Sequence, residues 1–227
     1  MALCAASSFS QESGNPPLRN VVQLSASGAV EVQQDLLTVV LSTSRDGGDA
    51  AAVQTQLKLA LDAALAEAKK AAQPGQLEVR TGNFSLYPRY SKDGKILGWQ
   101  GTTELVLEGR DFARIAGTAG KIPSLTLGNV SFSLSRAQRA QVEGQAQAMA
   151  IEQFKAKAAD IAKGFGFAGY SLREIAVNAN DMGGMPRPRA MMMEAKAASA
   201  DMAVPVEAGR STVQVTVSGA VQLTTSP

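Results

Sequence analysis

Val79-Arg80-Thr81-Gly82-Asn83-Phe84-Ser85-Leu86-Tyr87-Pro88-Arg89-Tyr90 and Ile96-Leu97-Gly98-Trp99-Gln100 flank an Asp93-Gly94 pair. Branched and aromatic residues on both sides of Asp-Gly are a hairpin signature, because glycine accepts the positive φ of the turn. The reading is a strand over 77–90, a turn, and a returning strand over 96–109. A long hairpin mid-chain sets antiparallel pairing, and no regular strand–helix–strand rhythm surrounds it.

Outward from the hairpin the period changes. Upstream, Val53, Leu57, Leu61, Leu65 and Ala68 recur at helical spacing, with Asp49 as N-cap and Pro74-Gly75 as stop. Before that helix, Val22, Leu24 and Ala26 alternate up to Gly28. A second strand then runs through Val30, Val32, Val39 and Leu41 to Arg45-Asp46-Gly47-Gly48. Downstream come a short helix from Asp111 to Ala119 and a strand over 125–134 with a bulge at Gly128-Asn129. Ser135 caps a long helix over 136–163, with Val142, Ala146, Met149, Phe154, Ala158 and Ile161 facing inward. A strand over 170–178, a loop over 179–210 and an alternating strand from Val213 to Leu223 complete the pattern. Val22–Val30 and Val213–Val221 echo one another, as two similar half-buried strands do. The fold class is α+β: a largely antiparallel sheet packed against one long and two shorter helices.

The chain has 227 residues, no histidine and one cysteine, Cys4. The usual neutral-pH general base is therefore missing, as are Ser-His-Asp and Cys-His arrangements and His/Cys zinc sites. Carboxylate, lysine and tyrosine chemistry remain, without a clustering motif. A net charge of +2, with both signs interspersed, is too balanced for a nucleic-acid footprint. No apolar run reaches the roughly 20 residues of a membrane-spanning helix. Residues 1–19 read as a signal-peptide remnant with a polar, Pro-containing lead-in, and 20–224 as the α+β domain. Export from the cytoplasm is the expectation that follows from that leader. A peripheral outer-membrane association is left open.

Three motifs invite a chemical reading. Gly164-Phe165-Gly166-Phe167-Ala168-Gly169 matches G-x-G-x-x-G, but it closes a helix where a dinucleotide fingerprint opens one. It reads as a C-cap, with Phe165 and Phe167 anchoring the helix end. Phe84, Tyr87, Arg89, Tyr90 and Trp99 place rings beside cations, a base-stacking pattern. Cross-strand packing with a solvated turn explains them without nucleic acid. Glu104 and Glu108 share a strand face roughly 13 Å apart, wider than paired glycosidase carboxylates, and read as solvated edge residues. No catalytic residue, cofactor or ligand is assigned.

The Met-rich loop, 180–209, carries Met182, Met185, Met191, Met192, Met193 and Met202, six of the eight methionines. Three readings stand open for it: a flexible insertion, a plastic contact surface, and a soft-metal site or oxidant sink. Those methionines are the sole metal candidates. A competing class for the whole chain is a hydrolase-like enzyme using carboxylates in a cleft between the long helix and the sheet. A second is a Met-rich copper- or oxidant-buffering protein.

Several ordered pieces resemble the SIMPL-domain family, which includes bacterial periplasmic proteins linked to oxidative-stress tolerance and a Brucella periplasmic immunogen. They are Leu24–Val32 with Asp35, Val79–Tyr90, Ile96–Gln100, the helix Ala146–Gly164, and Pro205-Val206-Glu207-Ala208-Gly209. The Met-rich content of the loop departs from the family's pattern. The resemblance implies an α+β domain, periplasmic export, a homo-oligomer and no established catalytic residues. A non-enzymatic, self-assembling role in cell-envelope or oxidative-stress tolerance is the resulting expectation.

Overall fold

The computed structural model describes residues 19–180 and 207–225. In chain order the elements are β1 (Val21–Gln33), β2 (Leu36–Gly47), α1 (Ala50–Ala71), β3 (Glu78–Tyr90) and β4 (Ile96–Gly109). They continue with α2 (Phe112–Gly120), β5 (Thr126–Ser133), α3 (Arg136–Gly164), β6 (Gly169–Asn180) and β7 (Arg210–Thr224). The strands form two antiparallel sheets, ordered β3-β4-β2-β5 and β1-β7-β6. The described residues divide into two compact units. One comprises 29–146, 180 and 207–214; the other 19–28, 147–179 and 215–225.

In the first unit, antiparallel register puts Leu37, Val39 and Leu41 of β2 on one face with Leu105 and Leu107 of β4. Ala60, Ala64 and Ala68 of α1 and Ile115 and Ala119 of α2 join them in one buried cluster. Leu61 and Leu65, expected on the same face of α1 as Val53, Leu57 and Ala68, are only partly buried and flank that cluster. Alanines let the helix axis approach the sheet, and the larger leucines fill the sides. Two glycines admit the start of α1: a Cβ on Gly101 would lie 2.5 Å from Leu57 Cδ1, and one on Gly47 2.9 Å from Val53 Cγ2. The N-cap of α1 is as expected, with Asp49 Oδ1 accepting the Ala52 N–H at 2.8 Å. The bulge is as expected too, since Val40 pairs with Asn129 and Leu41 with Leu127, leaving Gly128 extra.

The division between β1 and β2 differs from expectation. Gly28 lies within β1, and the break falls at Gln34-Asp35. Side-chain hydrogen bonds fix that break. The Asp35 carboxylate accepts the Ser135 N–H at 2.6 Å and the Ser135 hydroxyl at 2.7 Å, and pairs with Arg110 at 3.2 Å. Gln34 Nε2 donates to the Phe132 carbonyl and the Ser211 hydroxyl. Ser135 in turn accepts the Gln138 N–H at 3.2 Å, capping α3.

In the second unit, β1 and β7 run side by side, with Ser27 and Thr216 hydroxyls 3.0 Å apart and Leu223 N–H bonded to the Asn20 carbonyl. The two echoing segments are therefore neighbouring antiparallel strands. Leu24, Val217, Val221 and Leu223 pack with Ala150, Phe154, Ala158 and Ala162 of α3. Along α3 the buried residues are Val142, Ala146, Ala150, Phe154, Ala158 and Ala162, a stride of four. At 3.6 residues per turn, that stride advances roughly 40° per step, so the buried stripe winds around the helix. The expected straight stripe fails for this reason: Met149 is 45% exposed and Ile161 only partly buried.

Candidate functional site

The β3–β4 hairpin is built as its sequence indicates. Gly94 takes φ 75°, the Gly94 N–H reaches the Ser91 carbonyl, and the Ser91 N–H reaches the Lys95 carbonyl. Pairing of β4 with β2 stops at Gly47↔Trp99, whereas its pairing with β3 continues to Tyr90↔Ile96. A two-stranded ribbon thus extends past the four-stranded sheet. A register shift between Arg89 and Tyr90 leaves Leu97 as the extra residue of a bulge.

Cross-strand packing does not hide the hairpin's apolar side chains. Tyr87, Tyr90, Ile96 and Leu97 are 54–64% exposed, and Phe84 is exposed as well. The ribbon narrows to two strands, so no third strand or helix covers its end. Arg89 reaches Asp46 at 3.9 Å. Among the described residues, Lys92 and Lys95 take part in no ion pair.

Glu104 and Glu108 share a face of β4, but β4 lies between β3 and β2, so they are not edge residues. Both are half-buried and engaged. Glu108 accepts from Thr38 Oγ1 at 3.2 Å and pairs with Arg80 at 3.6 Å. Glu104 Oε2 accepts the Asn83 N–H at 3.1 Å, beside the register shift between Thr81 and Phe84. These carboxylates tie neighbouring strands together.

A groove of about 560 Å³ between α3 and β1 is lined by Ser25, Ala26, Gln153, Ala156, Lys157, Asp160 and Ile161. Lys157 Nζ donates to the Ser25 carbonyl at 3.0 Å, and Asp160 is the single carboxylate of the lining. Asp111 is held below its usual 3.8, first by the Arg114 N–H and then by the Arg114 side chain. Asp111 is the N-cap of α2, so the cause is a cap and not a reactive centre.

Gly164–Gly169 ends α3 as expected. Phe167 N–H bonds to the Ala162 carbonyl and Gly166 N–H to the Lys163 carbonyl, with Gly166 at φ 77°. That hydrogen-bond pair is a Schellman cap. Phe167 packs on the α3 cluster, but Phe165, expected to anchor the helix end, is 72% exposed. Met182, Met185, Met191, Met192, Met193 and Met202 lie outside the described residues, as does residues 1–18 of the leader.

Sequence reasoning missed one surface. β6 is an edge strand, and its residues from Ser171 to Ala179 are exposed, including Leu172, Ile175 and Val177. The signal was present in Leu172-Arg173-Glu174-Ile175-Ala176-Val177, where apolar residues occupy both alternation phases.

These features define an α+β protein of two antiparallel sheets with an exposed apolar edge and a projecting hairpin. The sequence pattern of the SIMPL family, described as a protein of unknown function (DUF541), matches residues 22–221, and the chain belongs to that family. No curated protein matches the chain. Two solved structures are weakly similar. One is "The crystal structure of AtUAH in complex with (S)-hydroxyglycine", at 13% identity and TM-score 0.26. The other is "The crystal structure of AtUAH in complex with glyoxylate", at 14% identity and TM-score 0.24. Each likeness covers 57% of this chain and 34% of the other.

Proposed function

We propose that this is an exported, non-catalytic protein of the bacterial cell envelope that works as a homo-oligomer assembled through the β6 edge. The observation that carries the reading is β6 itself: twelve residues without proline, at a sheet edge, with Leu172, Ile175 and Val177 exposed. Such an edge presents unpaired N–H and C=O groups and templates another strand.

Its sequence suits self-pairing. A two-fold antiparallel pair centred on Ile175 sets Ile175 against its twin and Arg173 against the partner's Val177. Glu174 then meets the partner's Ala176, and like charges stay apart. Registers centred on Arg173 or Glu174 oppose like charges, which destabilises a pair.

In a Cys4→Ser background, Ile175→Cys is expected to form a disulfide-linked dimer under mild oxidant, whereas Arg173→Cys does not. Cross-linking of both, or of neither, rejects that register. Export is tested by fractionating cells that express the full-length gene. Recovery in the cytoplasm with the leader intact contradicts it. The link to oxidative-stress tolerance predicts that deletion sensitises cells to peroxide and that the wild-type gene, but not an assembly-deficient variant, restores tolerance.

A further inference from the structure

We propose that the end of the β3–β4 hairpin is a docking surface for an anionic lipid bilayer, inserting Ile96, Leu97 and Tyr90 at the headgroup level. Three observations converge on it. The ribbon from Trp99 to Ile96 projects past the last β2 pair at Gly47, a reach of roughly 10 Å for three residues at strand spacing. That length matches the roughly 5–10 Å to which interfacial elements sink into the headgroup and acyl boundary. An isolated two-stranded ribbon is also marginal in water, so an apolar one gains from being covered.

The side chains suit such a surface. Tyr87, Tyr90, Ile96 and Leu97 are each more than half exposed. Tyrosine suits a membrane interface because its ring is apolar and its hydroxyl stays wet. The bulge leaves Leu97 unpaired next to Ile96, and both are exposed. Around these residues stand Lys92, Asp93 and Lys95, with Arg89 paired to Asp46, and neither lysine has an ion-pair partner among the described residues. Lysine stems lie along apolar surface while their ammonium groups reach lipid phosphates.

A nucleic acid fits less well. Beside the two tyrosines stand the aliphatic Ile96 and Leu97, exposed but without a stacking face, and no basic stripe continues from the tip.

The test uses the full chain with vesicles of phosphatidylglycerol and phosphatidylethanolamine, and with phosphatidylcholine vesicles as the neutral control. Trp99 is the single tryptophan and sits at the base of the ribbon, so its emission reports docking without a label. The expected result is co-sedimentation with the anionic vesicles, a blue shift of Trp99, and loss of binding as salt rises. Ile96→Asn with Leu97→Asn should weaken binding at least tenfold. Lys92→Gln with Lys95→Gln should abolish the preference for anionic over neutral vesicles. Both variants should keep the wild-type melting profile and the wild-type mass without vesicles.

Absence of sedimentation overturns the proposal, and so does wild-type binding by the Asn variant. A change of mass in that variant means that the tip packs on another copy, which also overturns it. Displacement from vesicles by a single-stranded oligonucleotide points to nucleic acid and has the same consequence. Vesicle binding does not depend on β6, so a monomer that still docks sinks the assembly reading and leaves this one standing.

Discussion

The two sheets manage their edges differently. In the four-stranded sheet, β3 carries Pro88 and two register shifts, and β5 is eight residues long with a bulge at Gly128. Proline, bulges and shortness are the devices that keep an edge from recruiting another strand. In the three-stranded sheet both edges lack proline, β1 over thirteen residues and β6 over twelve, and of the two β6 exposes large apolar side chains, Leu172, Ile175 and Val177. One chain thus holds both treatments, and an unprotected edge beside protected ones points to use rather than neglect. α1 and α2 cover one face of the first sheet, and the exposed apolar side chains of the second lie along its edge.

The largest effect on this contrast is expected at Gly219. A Cβ there would lie 2.1 Å from the Glu174 carbonyl oxygen, so β7 and β6 need glycine at their crossing. Gly219→Val should cost more than about 3 kcal/mol and detach β6, because backbone cannot yield as a side chain does. Denaturant titration reads the cost, and wild-type stability would mean that β6 is not held at that contact. Asp35→Ala comes next. It removes two hydrogen bonds to Ser135 and the Arg110 pair, for a loss of about 2–3 kcal/mol by the same titration.

A smaller effect of opposite sign is expected inside the four-stranded sheet. The Thr103 hydroxyl is fully buried with no hydrogen-bond partner. Thr103→Val should therefore stabilise the protein by about 1 kcal/mol, since the orphaned donor disappears at nearly constant shape. A loss of stability would show that the hydroxyl has a partner in solution.

The smallest effect concerns pH. Asp111 ionises below its usual 3.8 because the Arg114 N–H and side chain bind its charged form. Its contribution to α2 is therefore complete above the ordinary carboxylate pKa and fades as pH falls through the lowered value. Asp111→Asn keeps a capping acceptor but does not titrate, so the acid limb of thermal stability between about pH 2 and pH 5 should flatten. An unchanged limb would assign the acid sensitivity elsewhere.

Local chemistry made much of the fold legible. Asp93-Gly94, Asp49, Gly128 and Gly166 act within a few residues of themselves, so their turn, cap, bulge and helix end could be read directly. What depended on distant partners was hidden. The β1–β2 break is fixed by Ser135, a hundred residues away, and Gly28 was the more conspicuous but wrong marker. Met149 and Ile161 were misassigned because the stripe of α3 winds. Local alternation marks Glu104 as an edge residue, whereas the strand order sets β4 between β3 and β2. The exposure of Tyr90 followed from a ribbon outrunning β2 and that of Tyr87 from its place on the edge strand β3, neither of which alternation alone encodes. The apolar residues of β6 were visible, but their exposure on both faces came only with the sheet order.

Light scattering of the mature protein at micromolar concentration, alongside Ile175→Lys, tests assembly through β6 most directly. A charge at the centre of the self-paired edge should reduce the oligomer to a monomer while leaving the melting profile of the fold unchanged. A monomeric wild-type protein, or an Ile175→Lys oligomer of wild-type mass, would contradict assembly through this edge.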